Sequence, residues 1–491
     1  MTSTKTVPIG STFSTDVPTR LDRLPWSNWH WRLVIALGVT WIFDGLEATI
    51  IGALSEVLKE PETLGLTETQ IGLADTAYLI GAIVGALFFG YLTDKYGRKK
   101  LFLVTLSVYL VSTFLTALSP NFALFAIFRL FTGAGIGGEY SAINSAVDEL
   151  IPARLRGRVD LAINSTYWLG AAMGAGATLI LLNERIVPHA LGWRICFGMG
   201  GVIGLCIVLV RRHVPESPRW LLMNGRVGES DATVTTIERF VKAGTSHTFP
   251  TEPAPELSVK VTGSVGFKYI IGILLRKHLR RTILGLTLMI AQAFFYNAIF
   301  FTYAMILGKF YGVPSSDVGL YLLPFAAGNL LGPLLLGPLF DIVGRRAMII
   351  ITYALSGLLL AITGYAFKQG VLTATSQTVL WSITFFVASA AASSAYLTVS
   401  ELFPVELRGL AIAIFYAVGT LVGGAFAPTI FAILIESNSR DQVFLGYLAG
   451  SLLMIAAAIV AYFLAVAAEG KSLEELADHD PEVTPLMEKA S

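Results

Sequence analysis

Apolar stretches of roughly twenty residues alternate with short polar connections along almost the whole chain. They begin near Arg32, Gln70, Leu101, Asn121, Leu161 and Gly192, and again near Thr282, Val318, Met348, Thr378, Leu410 and Val443. A bilayer core needs roughly 20 apolar residues per helix, so the pattern predicts an all-α, polytopic chain of about twelve spans. The first run is longer than the apolar core of a secretory signal and follows some thirty other residues, so it reads as a span. Polar positions divide the chain further. A tail at 1–31, rich in Ser, Thr and Pro, is expected to be disordered. Six-helix blocks at 32–212 and 282–467 flank a polar stretch at 213–281, and a second tail occupies 468–491.

Composition agrees with this pattern. The chain is 54% hydrophobic and 14% charged, with mean hydropathy +0.67, whereas a soluble domain carries roughly 25% charged residues. So little polar surface places it in a membrane. A net charge of +1 gives no electrostatic case for nucleic acid. Cys196 and Cys206 fall in one apolar run and read as packing residues, not as a disulfide or metal pair. With the N-terminus in the cytoplasm, the loops on that side hold 28 of the 35 Lys and Arg residues, against six opposite. Short cytoplasmic loops concentrate such residues, so both termini are expected inside a plasma (inner) membrane. RKHLRR, Arg276 to Arg281, reads as a juxtamembrane anchor on anionic lipid.

Two motifs occur twice. Asp-x-x-Gly-Arg stands at Asp94, Gly97 and Arg98 and at Asp341, Gly344 and Arg345, 247 residues apart. Glu-Leu-x-Pro-x-x-Leu-Arg-Gly runs from Glu149 through Arg156 and from Glu401 through Arg408, 252 apart. Two motifs with nearly one offset make the halves copies. An even number of spans separates them, so the repeat is parallel, about an axis along the membrane normal. Each acid ends a span on the expected cytoplasmic side with an arginine nearby. One reading is topological, with bases holding short loops inside. Four acid–base motifs in two matched pairs favour a latch at the inner mouth, broken as the protein changes state.

Charges inside apolar runs are costly and mark function. WIFDGLEAT puts Asp44 about midway along the first span, with Glu47 on a similar face, and Arg129 lies near mid-depth in the fourth. A facing Asp44–Arg129 pair would offset burial of both charges. A substrate that draws Arg129 away would let Asp44 take a proton, a coupling device for symport; the alternative is a static structural pair. Glu139, in GAGIGGEY, admits two readings, lining the path or joining the latch. Asp75, near the outer end of the second span, is explained by solvation. Gly133, Gly135 and Gly138 spell G-x-G-x-x-G, but the dinucleotide motif needs a strand before it and a helix start after it. Inside a span, small residues let helices approach. No G-x-x-x-x-G-K-Ser/Thr loop occurs, so ATP-driven transport is not expected, nor is any cofactor or metal. Asn164, Tyr167 and Trp168 on the fifth span, with Gln292, Tyr296, Asn297 and Tyr303 on the seventh, suggest a cavity. Amides offer donors and acceptors and aromatic faces can stack a ring; each can equally be glue between helices.

At these residues the chain resembles the major facilitator superfamily, and within it the sugar-porter and general metabolite transporter group. Asp94/Arg98 and Asp341/Arg345 match the superfamily's loop motif. PESPRWLL, Pro215 to Leu222, is similar to the sugar-porter motif after the sixth span, and EGKSLEEL, Glu469 to Leu476, to that group's C-terminal motif, with Ala468 where proline is usual. The resemblance implies an acid in span one facing an arginine in span four, at Asp44 and Arg129. It also implies substrate contacts at Gln292 and Asn297, with Asn164 standing where span five carries Gln. Phe295 replaces a characteristic glycine, and ASSAY, Ala392 to Tyr396, replaces a segment with Pro and Trp. Asp44-Gly45-Leu46-Glu47 is similar to the Asp-Gly-x-Asp of aromatic-acid/proton symporters; GGEY, and Tyr396 before Glu401, resemble organic-ion and nicotinate-type carriers. These departures count against a hexose.

The expectation is a functional monomer with two six-helix bundles around a midplane site. It would carry a small polar metabolite, sugar-like or an organic (aromatic) acid, together with protons by alternating access. Facilitated diffusion and proton-coupled efflux are the rivals. No constellation of catalytic residues supports an enzyme.

Overall fold

A computed structural model describes residues 7–8, 10–54, 57–181, 186–188, 190–200, 215–244, 254–261, 267–300, 302–313, 317–403, 405–425 and 427–466. The motif at 469–476, Cys206, most of the second half of the sixth span and the Arg408 side chain lie outside that description. Nine helices among the described residues are long and apolar enough to cross a membrane. They are the first span (Asn28–Leu54), second (Glu68–Tyr96), third (Arg98–Ala117), fourth (Phe122–Leu150), seventh (Leu279–Phe300), eighth (Val318–Ile342), ninth (Arg345–Lys368), tenth (Ala374–Leu402) and twelfth (Arg440–Leu464). The fifth is the helix Arg156–Leu181, and the described part of the sixth is helical from 190 to 200. The seventh resumes as Tyr303–Tyr311. The eleventh is divided into Val405–Gly419, a π-turn at Thr420–Gly424, and Ala427–Glu436. These segments match the all-α, twelve-span pattern of the hydropathy.

Local chemistry sets the ends. Thr67 and Gln70 form a reciprocal capping box, and the side chains of Asn121 and Ser439 accept first-turn N–H groups. Gly97 and Gly344, the glycines of the repeated Asp-x-x-Gly-Arg, have φ of 102° and 111°. With ψ near 150° at both, this backbone is essentially restricted to glycine, which explains why the tight turns between spans two and three and between eight and nine carry it. The G-x-G-x-x-G stretch is helical throughout, and a Cβ at Gly133 would overlap the Tyr78 carbonyl. Gly133 therefore serves the approach of spans two and four, and Gly135, whose Cβ would meet Tyr109, that of spans three and four. The halves meet where the fifth span packs on the eighth and the second on the eleventh.

The opening segment departs from the expected disorder. Thr12–Thr15 pairs antiparallel with Leu257–Lys260, Thr12 opposite Lys260. The short helix Val17–Asp22 buries Val17 and Leu21, with Leu24 following, in a cluster that includes Val234, Ile237 and Val241 of the helix Val227–Ala243. Arg20 adds bonds of 2.9 and 2.8 Å to Glu238 and 2.6 Å to Asp231. Average composition hides this order, because three apolar residues at helical spacing and a strand partner far along the chain suffice to fix it.

Candidate functional site

A central cavity of about 210 Å³ lies between the halves. Seven residues singled out from the sequence line it: Asn164, Tyr167, Trp168, Gln292, Tyr296, Asn297 and Tyr396. Tyr303 does not; its hydroxyl donates to the Tyr321 carbonyl at 2.9 Å. Trp41, Tyr78, Tyr140, Ser389, Ser393, Tyr416 and Thr420 also line the cavity and were not anticipated. Trp41 was within reach of inference, because it stands one turn before Asp44 and so shares its helix face.

The lining has two chemistries. Tyr140 stacks on Tyr416 with ring centroids 4.5 Å apart and lies parallel to Tyr396 at 6.1 Å, with Trp41 edge-on to Tyr140 at 4.6 Å. Trp168 meets Tyr296 at 5.9 Å and Phe300 at 5.3 Å. Between these aromatic walls stand amides. Tyr296 Oη donates to Asn329 Oδ1 at 2.7 Å, Asn297 Nδ2 to the Ala293 carbonyl at 2.7 Å, and Asn164 Nδ2 to Asp160 Oδ2 at 3.1 Å.

Behind this wall the charges pair differently from the expectation. Arg129 Nη1 donates to Glu47 Oε1 at 2.8 Å, and Thr113 Oγ1 donates to Glu47 Oε2 at 3.0 Å. The ion pair thus joins spans one and four through Glu47, not through Asp44. Both acids and Arg129 are buried. The Arg129 guanidinium also sits 4.3 Å over the Tyr78 ring, a cation–π contact to a cavity residue. Asp75 lies within electrostatic reach of Arg129, so the charge cluster draws it in. Asp44 lies within reach of Tyr140, Tyr167 and Tyr416. Glu139 is buried and stands outside the cavity lining; it and Glu47 both lie near Tyr109.

At the arginine-rich end the repeated motifs form matched clusters. Arg98 pairs with Asp94 at 2.8 Å and Glu149 at 3.2 Å. Arg345 pairs with Asp341 at 2.5 Å and, through two nitrogens, with Glu401 at 3.1 Å. Each aspartate also crosses to the other half: Asp94 Oδ2 accepts the Leu410 N–H at 3.0 Å, and Asp341 Oδ2 accepts the Arg158 N–H at 2.9 Å. Arg156 crosses too, 3.8 Å from Glu401, and lies 3.6 Å from Asp22 of the N-terminal segment. Glu149 thus meets the arginine of the other motif, Arg98. From the PESPRWLL segment, Trp220 Nε1 donates to the Asp94 carbonyl at 2.8 Å and Arg219 Nη1 to the Glu149 carbonyl at 2.8 Å.

Matched halves of membrane-spanning helices, tied at one end and enclosing a small cavity, define a polytopic secondary transporter of the major facilitator fold. The profile described as "Sugar (and other) transporter" matches residues 47–479, and the chain belongs to that family. It is similar to the niacin transporter NiaP of Acinetobacter baylyi, 28% identical over 466 residues that make up 94% of this chain and 99% of the relative. It is also similar to myo-inositol transporter 2 of Schizosaccharomyces pombe, 28% identical over 85% of this chain and 76% of that one. Among solved structures, the proton:xylose symporter XylE bound to 6-bromo-6-deoxy-D-glucose superposes with a TM-score of 0.73 at 20% identity, over 91% of this chain and 98% of that one. This last likeness carries the fold.

Proposed function

We propose that this protein is a proton-coupled symporter of a small polar metabolite in the plasma (inner) membrane. Both termini are cytoplasmic in this reading, and the arginine-rich latch closes the cytoplasmic mouth. One observation carries it: the buried Glu47–Arg129 pair stands behind the cavity wall and shares Tyr78 with it. A buried ion pair is held only while both members are charged. A proton reaching Glu47 cancels the charge that holds Arg129, and the guanidinium turns on the Tyr78 face toward Asp75. Tyr78 then shifts, so protonation reshapes the cavity, and substrate resting on Tyr78 biases the same equilibrium in return. Tyr109, within reach of Glu47, Asp44 and Glu139 alike, is the relay that this scheme requires.

The latch supplies alternation. It is closed while Asp94 and Asp341 accept amides of the opposite half, and it opens as those bonds are given up. The cavity volume supports a small substrate, because drug-sized ligands occupy roughly 300–1,000 Å³.

The test is proton movement in liposomes that contain the purified protein and a pH-sensitive dye. Sugars, polyols, acids and organic cations are added singly, with Glu47→Gln and protein-free liposomes as controls. Proton entry that depends on one compound and is lost in the variant is the expected result. A silent dye alongside protein-dependent flux of labelled compound would make the protein a facilitator instead.

A further inference from the structure

We infer that the cavity is built for a small organic cation, seated on the tyrosine stack against Asp44. The inference rests on the reading of the central cavity as the substrate site and adds the charge of its occupant. Nine of the nineteen lining residues are aromatic, and among the described residues the lining holds no Lys, Arg or His. Arg129, which touches the wall at Tyr78, is committed to Glu47 at 2.8 Å and masked by the Tyr78 ring. An anionic substrate would therefore enter without a cation to meet it, at a cost that buried carboxylates do not bear.

The wall offers a cation three complementary features. The Tyr416–Tyr140–Tyr396 stack and the Trp41 edge present π faces from spans one, four, ten and eleven, and such faces attract organic ammonium and pyridinium groups. Trp41, Asp44 and Ala48 share one face of the first span at helical spacing. Trp41 and Ala48 line the cavity, and Asp44, between them in the chain, is buried behind that lining, within electrostatic reach of Tyr140 and Tyr416. The third feature is Asn164. Asp160 Oδ2 accepts from its Nδ2 at 3.1 Å, which sets the amide orientation. Asn164 Oδ1 is then left buried with no hydrogen-bond partner among the described residues. A lining acceptor oxygen held this way suits a ligand N–H or an electron-poor ring C–H.

Thermal unfolding of the purified full chain tests this directly, because a ligand that binds only the folded protein raises its stability with concentration. The probes are 1-methylnicotinamide, nicotinamide and nicotinate, one ring carrying positive, zero and negative charge, together with choline and myo-inositol. The expected order places the cation roughly thirtyfold tighter than its neutral isostere, the equivalent of a desolvated cation–π contact. Asp44→Asn should weaken that preference, leaving the part due to the aromatic faces, and Asp44→Glu should keep it. Nicotinate or myo-inositol binding as tightly as 1-methylnicotinamide would overturn the inference. So would the absence of any shift with both cations, and the wild-type series decides even if the Asp44 variants do not fold. Cation binding with a silent proton dye would remove the coupling while leaving this inference standing. Proton entry driven only by a sugar or an acid would do the reverse.

Discussion

Asp94 accepts the backbone N–H of Leu410 at 3.0 Å, a bond between residues 316 positions apart in the chain. Its counterpart runs from Asp341 to the N–H of Arg158, in the first turn of the fifth span. The two bonds exchange partners between the halves, so each motif fastens the opposite copy. At Arg158 the carboxylate meets a first-turn amide with no partner inside its helix and the positive end of the dipole, whereas Leu410 lies more than a turn into Val405–Gly419.

Removing both carboxylate charges should loosen this end. Hydrogen bonds to charged groups are worth about 1.5–3 kcal/mol each, so Asp94→Asn with Asp341→Asn should raise the open-to-closed ratio by about tenfold or more per site. Spin labels at Tyr96 and Ile342, both exposed and on opposite halves, would report a longer distance population. An unchanged distribution would remove the latch.

Glu47 and Arg129 should behave as one unit in stability. Glu47→Gln leaves a buried guanidinium without its partner, and breaking a buried pair costs about 3–5 kcal/mol. Combining it with Arg129→Met should recover most of that loss, measured as a double-mutant cycle in thermal unfolding. Asp44→Asn should cost less and show little coupling to Arg129→Met. Strong Asp44 coupling would restore the pairing first expected from the sequence.

How far the sequence could be read shows in these same residues. Spans, repeat and seven of the eight expected cavity residues were legible because apolar run length, motif spacing and polar residues in greasy helices are local signals; Tyr303 was the exception. The partner of Arg129 was not. Asp44 and Glu47 share a helix face about 4.5 Å apart along the axis, and only packing decides which one an arginine from another span reaches. The bonds across the latch were hidden for a different reason: backbone amides carry no residue signature, so nothing in the letters at Leu410 or Arg158 announces a donor. Arg156 was expected in the latch, but its partners there could not be named, because Asp22 and Glu401 come from segments brought near only by the fold.

Gly133→Ala should prevent the folded protein from accumulating, because the added carbon meets the Tyr78 carbonyl, which cannot step aside as a side chain can. Gly176→Ala, where nothing stands within 4 Å, is the control. Equal monodisperse yields of the two variants would mean that spans two and four tolerate a wider separation.

Glu216 gives a pH-dependent prediction outside the membrane spans. It accepts the N–H groups of Arg98 at 2.9 Å and Lys99 at 3.3 Å, yet burial pushes its carboxyl above the usual carboxylate range. The folded chain then binds the proton more tightly than the unfolded one, so ionising Glu216 costs stability as pH rises through that range. Glu216→Gln keeps an acceptor oxygen and removes the charge. Its stability relative to the parent should improve between about pH 4 and about pH 8. A relative loss at the upper end would show that attraction to Arg98 outweighs burial.

The strand Thr12–Thr15 finds its partner only at Leu257–Lys260. During synthesis at about 5–20 residues per second, the chain's own beginning waits some tens of seconds for the residues that will hold it. The first six spans are thus committed to the bilayer before the N-terminal segment is fixed. Whatever is fused ahead of Thr12 must leave that strand room to close after those spans are in place.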